Sequence, residues 1–196
     1  ITVAALTGTL KIGEAISGFA NSAIWLIVGA FLFSRGFIKT GLGKRIAYNL
    51  IAAFGSSSLR LSYALALSDL ILAPATPSNT ARVGGVIMPI TTSLAKAFGS
   101  EPQDGPRKIG SFLMQSIYQV NTITSAMFQT SMAGNTLVAA LALQSFGIGI
   151  TWGDWAMAAI VPGIIALIIM PYFIYKVYPP EIKDAREAQQ MIREEL

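Results

Sequence analysis

From Ile109 to Ile150 the chain carries no charged residue, and a second uncharged run, Trp155–Tyr175, follows close behind. A third lies at Ile16–Ser34. Apolar runs of about 18 or more residues without charge point to a bilayer rather than to a soluble core. Composition agrees: 53% of the 196 residues are hydrophobic and 12% charged, against about 25% charged in a soluble domain. Mean hydropathy is +0.58. The expected class is all-α, a polytopic membrane protein.

Several functions fall away at once. The chain has no cysteine and no histidine, which removes disulfides, thiol nucleophiles, Cys/His zinc sites and Ser-His triads. No Gly-x-Ser-x-Gly element and no paired intramembrane aspartates appear, so an enzyme is not expected. The net charge of +4 comes from basic residues flanking apolar spans, where membrane topology explains them; nucleic acid is not an expected partner. Ile1–Leu10 reads like the tail of a helix already under way, and Glu181–Leu196 like a charged linker helix leading onward. Both ends suggest a fragment of a longer chain.

Between these ends the apolar stretches are interrupted in an ordered way. A polar connection, Lys11–Ser22, precedes a helix over Ala23–Ile38. Leu42–Phe54 places Lys44 and Arg45 opposite Ile46, Leu50 and Ile51, the pattern of a helix lying in the interface. Leu59–Ala73 is too short to cross a hydrocarbon core of about 30 Å at 1.5 Å per residue. It is broken by Pro74-Ala75-Thr76-Pro77-Ser78-Asn79-Thr80, and two prolines three apart cannot both sit inside one regular helix. A second helix, Ala81–Phe98, follows. Lys39, Lys44, Arg45 and Arg60 precede this pair and Lys96, Arg107 and Lys108 follow it, so both flanks belong on the cytoplasmic side.

These features predict a re-entrant helical hairpin over 59–98. A broken transmembrane helix is expected over 108–150, interrupted at Met132-Ala133-Gly134-Asn135-Thr136. Lys108 to Gly134 would then be about 39 Å of helix, long enough to force protrusion or strong tilt. Trp152 and Trp155 suit the outer interface, and Tyr172, Tyr175 and Tyr178 the inner one. The expected organisation is scaffold-type helices and an interfacial helix over 1–54, a transport-type region over 55–150, and a transmembrane helix with its linker over 151–196.

The breaks carry the chemistry. A helix ending near Ala73 aims carbonyls at the tip, and one beginning near Thr80 aims free N–H groups at the same place. One tip can thus offer oxygens to a cation and donors to a carboxylate. Thr76, Ser78, Asn79 and Thr80 supply hydroxyl and amide groups there, against the plainer reading of helix capping. Arg82, inside an apolar stretch, is either a substrate-binding residue or half of a structural pair with Asp69. In the second break Asn135 is the corresponding substrate-binding candidate. Ser111, Gln115, Gln119, Thr122, Ser125 and Gln129 share one helix face, lining a hydrophilic path or bonding to neighbours. Gly84-Gly85 reads as close helix packing.

The run Pro77-Ser78-Asn79-Thr80-Ala81-Arg82-Val83-Gly84-Gly85, together with Tyr178-Pro179-Pro180-Glu181-Ile182, resembles the divalent anion:sodium symporter family. The nearest branch contains bacterial citrate, tartrate and dicarboxylate exchangers and plastid 2-oxoglutarate/malate translocators. The resemblance covers most of the chain and implies one half of an inverted-repeat transporter, the second repeat lying elsewhere. It further implies a homodimer in contact with membrane lipid, working by an elevator-like movement. Ser78, Asn79 and Thr80 would contact a carboxylate of a di- or tricarboxylate anion, and Ser78, Asn79 and Gly134 would mark a sodium site. One departure stands out: sodium-coupled members carry a serine where this chain has Pro74, which offers no side-chain oxygen. Carboxylate exchange without a cofactor is therefore the leading expectation. Na+-coupled symport, a sulfate or other anion carrier, and a structural membrane subunit are the alternatives. The expected location is a bacterial inner membrane, or else a plastid inner envelope.

Overall fold

A computed structural model describes residues 1–20 and 22–195. Asn21, in the expected polar connection, and Leu196, at the end of the expected linker helix, lie outside the described residues. Regular structure among the described residues is helical, with one isolated bridge between Ser57 and Asp184. Two short helices, α1 (Thr2–Leu6) and α2 (Ile12–Ile16), open the chain. The Lys11–Ser22 connection is thus more helical than expected, because Glu14 Oε2 reaches back to accept the Lys11 N–H at 3.1 Å and fixes the start of α2. Helix α3 (Ser22–Thr40) ends at Gly41, whose φ of 69° reverses the chain into α4 (Leu42–Phe54). Gly43, Ala47 and Ile51 form the buried ridge of α4, with Lys44 and Arg45 exposed.

The broken pair follows. Its first limb, α5 (Ser58–Leu72), is started by Ser57, whose Oγ accepts the Arg60 N–H. Fifteen residues give about 22 Å of helix. One 3-10 turn, Ala73–Ala75, leads into extended backbone at Thr76 and Ser78. The second limb comprises α6 (Asn79–Arg82), a π-helical turn at Val83–Ile87, and α7 (Met88–Ala97). The π turn replaces the regular helix expected over Ala81–Phe98. Pro89 cannot donate to Gly85 and its ring crowds that carbonyl, which favours widening of the preceding turn. At Gly85 an added Cβ would lie 3.2 Å from Ile38 Cδ1 of α3. Here the close-packing reading of the glycines holds for Gly85, whereas Gly84 faces open space.

Helix α8 spans Gly110–Met127 and α9 spans Ala133–Phe146. The second break therefore occupies Phe128–Met132, with a 3-10 turn at Gln129–Ser131. This corrects the expected position: Gly134, Asn135 and Thr136 lie in the first turn of α9. Extended backbone at Phe128 and Met132 ends α8 after 18 residues, about 27 Å, and removes the overlong helix. Helix α10 (Trp152–Val177) starts at a Thr151/Asp154 capping box and contains Pro162 and Pro171. Among the described residues it is the helix long and apolar enough to cross a membrane.

Residues 178–185 form an extended strap, so the charged helix begins later than expected, at α11 (Arg186–Glu195). The strap is fixed by backbone bonds: Glu181 and Ile182 donate to Arg107 and Lys108, Ser58 donates to Lys183, and Ala185 donates to Ser56. Ser58 Oγ also donates to Ile182 O. The start of α5, the loop after α7 and the end of α10 thus meet at one end of the molecule. Gln189 and Arg193 donate to Ala52 O, occupying a carbonyl of the last turn of α4. The three tyrosines near this end differ in use. Tyr175 packs edge-on against Phe112, and Tyr178 and Tyr172 lie under Arg107 and Lys176.

Candidate functional site at two helix breaks

At the first break Ser78 is the N-cap of the second limb, its Oγ accepting the Ala81 N–H at 3.1 Å. Asn79 Oδ1 accepts the Thr80 N–H at 2.9 Å. The Asn79 Nδ2 has no protein acceptor among the described residues, so its two N–H groups remain open. Ser78 and Asn79 are half-buried and Thr80 is exposed. The Ser78 hydroxyl donates to no described residue and the Thr80 hydroxyl makes one long bond, 3.5 Å, to Asn79 Oδ1, so with the Asn79 amide the tip offers a donor set suited to a carboxylate.

Beneath it Arg82 is 0% exposed, one helical turn past the break. Its Nε donates to Asp69 Oδ1 at 2.8 Å. Nη1 donates to Thr76 O and Ser131 O, both at 3.1 Å. Nη2 donates to Thr124 Oγ1 at 3.3 Å and Ser125 Oγ at 3.1 Å. All five guanidinium N–H groups are therefore used. Asp69, 2% exposed, also accepts from Thr124 Oγ1 and, at 3.4 Å, from Asn121 Nδ2. The buried charge pair is neutral as a unit and well supplied with hydrogen bonds, the condition under which such pairs are tolerated.

The second break is closed from within. Asn135 Nδ2 donates to Ser125 O at 2.7 Å and Phe128 O at 2.9 Å. Ser131 Oγ points at the same two carbonyls. Thr136 Oγ1 bonds Gln129 O. Thr130 Oγ1 crosses to the first break, donating to Pro74 O at 2.7 Å and accepting Trp152 Nε1 at 3.0 Å. Trp152 stacks on Phe128, and Trp155 Nε1 donates to Ala126 O. Aromatic N–H groups from the start of α10 thus hold one break, and Arg82 and Thr130 join it to the other.

The sequence-predicted residues separate into two groups. Ser78, Asn79 and Thr80 lie together at the open tip. Thr76, Arg82 and Asn135 are buried and spend their groups on the protein, Thr76 through its carbonyl. Gly134 stands beside Met132, half-buried, with room for close approach. Of the polar stripe, Ser125 points inward whereas Gln115 and Thr122 face outward. The sequence reading missed Asn121, Thr124, Thr130 and Trp152 as parts of the network. Asn121 and Ser125 are four apart and could have been found by helical spacing; nothing local marks Thr130.

Paired helix breaks, joined by a buried ion pair in a largely apolar helical chain, mark an integral membrane protein. Residues 1–196 match the family described as the sodium:sulfate symporter transmembrane region, and the chain belongs to that family. It is 57% identical over 197 residues to a putative malate transporter, YflS, of Bacillus subtilis, covering 100% of this chain and 41% of the relative. It is 50% identical to a chloroplastic dicarboxylate transporter 1 of Spinacia oleracea, covering 97% of this chain and 34% of the relative. Identity to an L-tartrate/succinate antiporter of Escherichia coli is 42%, over 93% of this chain and 38% of the relative. The chain spans roughly a third to two fifths of the length of these relatives.

Proposed function

We propose that the intact protein is a secondary transporter that exchanges di- or tricarboxylate anions across a membrane, with no part as an enzyme. The observation that carries this reading is the open donor set of Ser78, Asn79 and Thr80 directly above a buried, fully bonded guanidinium. A substrate carboxylate accepts from the Asn79 amide and the Ser78 and Thr80 hydroxyls. Arg82, neutralised by Asp69, acts from below by bonding the Thr76 and Ser131 carbonyls and so holding the two breaks in place without touching the anion. Asn135 and the Thr76 carbonyl shape the two breaks rather than meeting substrate, and Arg82 is assigned the same indirect place. Relatives described as malate, dicarboxylate and tartrate/succinate carriers support this substrate class.

Sodium is the alternative, from the family description and the candidate ligands Ser78, Asn79 and Gly134. A cation held by break carbonyls would use Thr76 O and Ser131 O, but both already accept Arg82 Nη1. Ser78 Oγ and Asn79 Oδ1 also serve as acceptors for backbone N–H groups. Bonded in this way, the break oxygens favour exchange over a sodium site.

The limbs α5 and α6–α7 act as a re-entrant hairpin, supported by their outer ends meeting on one strap and by their short lengths. Residues 55–150 form the moving part and 1–54 the scaffold-type and interfacial helices, with α4 and α10 packed against the hairpin from either side of those bounds. A second, inverted repeat completes the site, in a homodimer with lipid around it, in a bacterial inner membrane or plastid envelope. Proteoliposomes holding the intact protein test the exchange. Labelled dicarboxylate should enter only vesicles preloaded with dicarboxylate, equally with and without sodium. Uptake into empty vesicles driven by a sodium gradient would overturn both the exchange and the assignment of Arg82.

A further inference from the structure

Outside the breaks, the start of α5 carries a feature the transport reading does not use. A cavity of about 530 Å³ lies between the end of α4 and α5, lined by Ala53, Phe54, Arg60, Tyr63, Ala64 and Leu67. Among the described residues that line it, Arg60 is the cation. A second groove of about 240 Å³ continues past the same Tyr63 and Leu67 to Leu70 and, on α10, to Ile164 and Ile168. The Tyr63 hydroxyl donates to Ile168 O, so the phenol is held as a wall between the two spaces. Apart from Arg60 and that occupied hydroxyl, the surface is hydrocarbon.

We propose that this groove binds an anionic phospholipid, with the phosphate on Arg60 and one acyl chain along Leu67 and Leu70. Arg60 is exposed, has no carboxylate partner among the described residues, and gives one N–H to Ser56 Oγ at 3.1 Å. The remaining N–H groups are free for phosphate oxygens, which a guanidinium matches well. Two further basic residues belong to segments bonded beside this mouth. Lys183 is exposed and its carbonyl bonds Ser58, and Arg193 bonds Ala52 O next to the lining residue Ala53. The nearby Asp184 is paired with Arg186 at 3.4 Å.

Depth fits as well as charge. Arg60 to Leu70 is ten residues of helix, about 15 Å, which is one leaflet of a hydrocarbon core of about 30 Å. The mouth lies at the basic-flanked end of the molecule, where anionic headgroups of the cytoplasmic leaflet concentrate. A headgroup at Arg60 therefore leaves its acyl chain inside an apolar trough of matching length.

The test uses the intact protein purified in detergent and titrated separately with phosphatidylglycerol and phosphatidylcholine, adducts being counted by native mass spectrometry. The wild type should hold phosphatidylglycerol about fivefold more tightly than phosphatidylcholine. R60Q should lose that preference, R60K should retain part of it, and L67W should weaken both lipids alike. Unchanged melting of R60Q in detergent separates loss of the site from loss of the fold; if R60Q melts early, R60K and L67W carry the comparison. Equal binding of the two lipids by the wild type, or a preference that survives in a folded R60Q, overturns the proposal. Displacement of the adduct by inorganic phosphate alone would also overturn it, pointing to a free anion rather than a lipid.

Discussion

Replacing Arg82 by Met removes a group that, like Thr130, ties one break to the other, and its cost can be worked from the contacts. Asp69 would remain 2% exposed with Thr124 and Asn121 as its only side-chain donors. Losing one member of a buried ion pair costs about 3–5 kcal/mol. Thr76 O and Ser131 O would each lose a donor, at about 1–3 kcal/mol apiece where water cannot replace it. The tip is open enough for some water, so a total near 5 kcal/mol is expected for R82M. D69N keeps an acceptor for Nε but strands the guanidinium charge, at about 3 kcal/mol or more. In the double variant neither charge remains, and only the carbonyl losses and poorer packing persist, about 2–4 kcal/mol. The two substitutions should therefore be strongly non-additive, with a coupling of about 3 kcal/mol or more. Chemical unfolding of the intact protein in mixed micelles, followed by the fluorescence of Trp152 and Trp155, measures all three. Additive losses would refute the idea that the pair acts as one unit. An R82M variant of undiminished stability that no longer binds substrate would refute it too, making the guanidinium a direct ligand.

Other substitutions probe separate parts. N79A removes the open amide while leaving the Ser78 cap, so substrate affinity in exchange assays should fall about tenfold with little change in unfolding. S78A removes the cap itself, and about 1 kcal/mol of stability should go with it, visible in the same micelle unfolding. G163V should cost about 1–3 kcal/mol, because even a Cβ there would lie 2.6 Å from Met127 Cγ; M127A in the same chain should recover part of the loss. T151A deletes the N-cap of α10 and frees Asp154 and Trp152 from a fixed start, so faster amide exchange is expected at residues 152–155 than at 160–170.

Much of this arrangement is legible from residue type alone. Two prolines three apart end a helix wherever they stand, so the first break lay where sequence put it. The second break has no proline. It is held by Asn135, Ser131, Thr130 and two tryptophans from distant segments, so its boundaries were misjudged by about four residues. Small and polar residues at Ala133–Thr136 look like a break but are compatible with a helical first turn once their side chains have carbonyls to bond. The π turn was likewise hidden, because Pro89 acts four residues upstream of itself. Asp69 was readable as a partner for Arg82, but only the fold shows that the guanidinium has no N–H left for anything else. The strap at 178–185 was half legible: Pro179 and Pro180 end α10, but the charged stretch from Glu181 reads most simply as helix, and the bonds to Ser56, Ser58, Arg107 and Lys108 that hold it come from distant segments.

That strap also sets an order of assembly. Ser58 and Ile182 are 124 positions apart, and Ala52 and Arg193 are 141 apart. On a ribosome the limbs of the broken pair are made well before the residues that lock their outer ends. Neither limb is long enough to be held across a bilayer by itself; the first packs on α8 and α10 and the second on α8. The pair must therefore wait, loosely associated, until α10 has been inserted and its last turn has cleared the exit tunnel. Biogenesis of the Ser78–Thr80 tip is consequently a late event, and truncation anywhere before residue 185 should leave a chain that inserts but never closes.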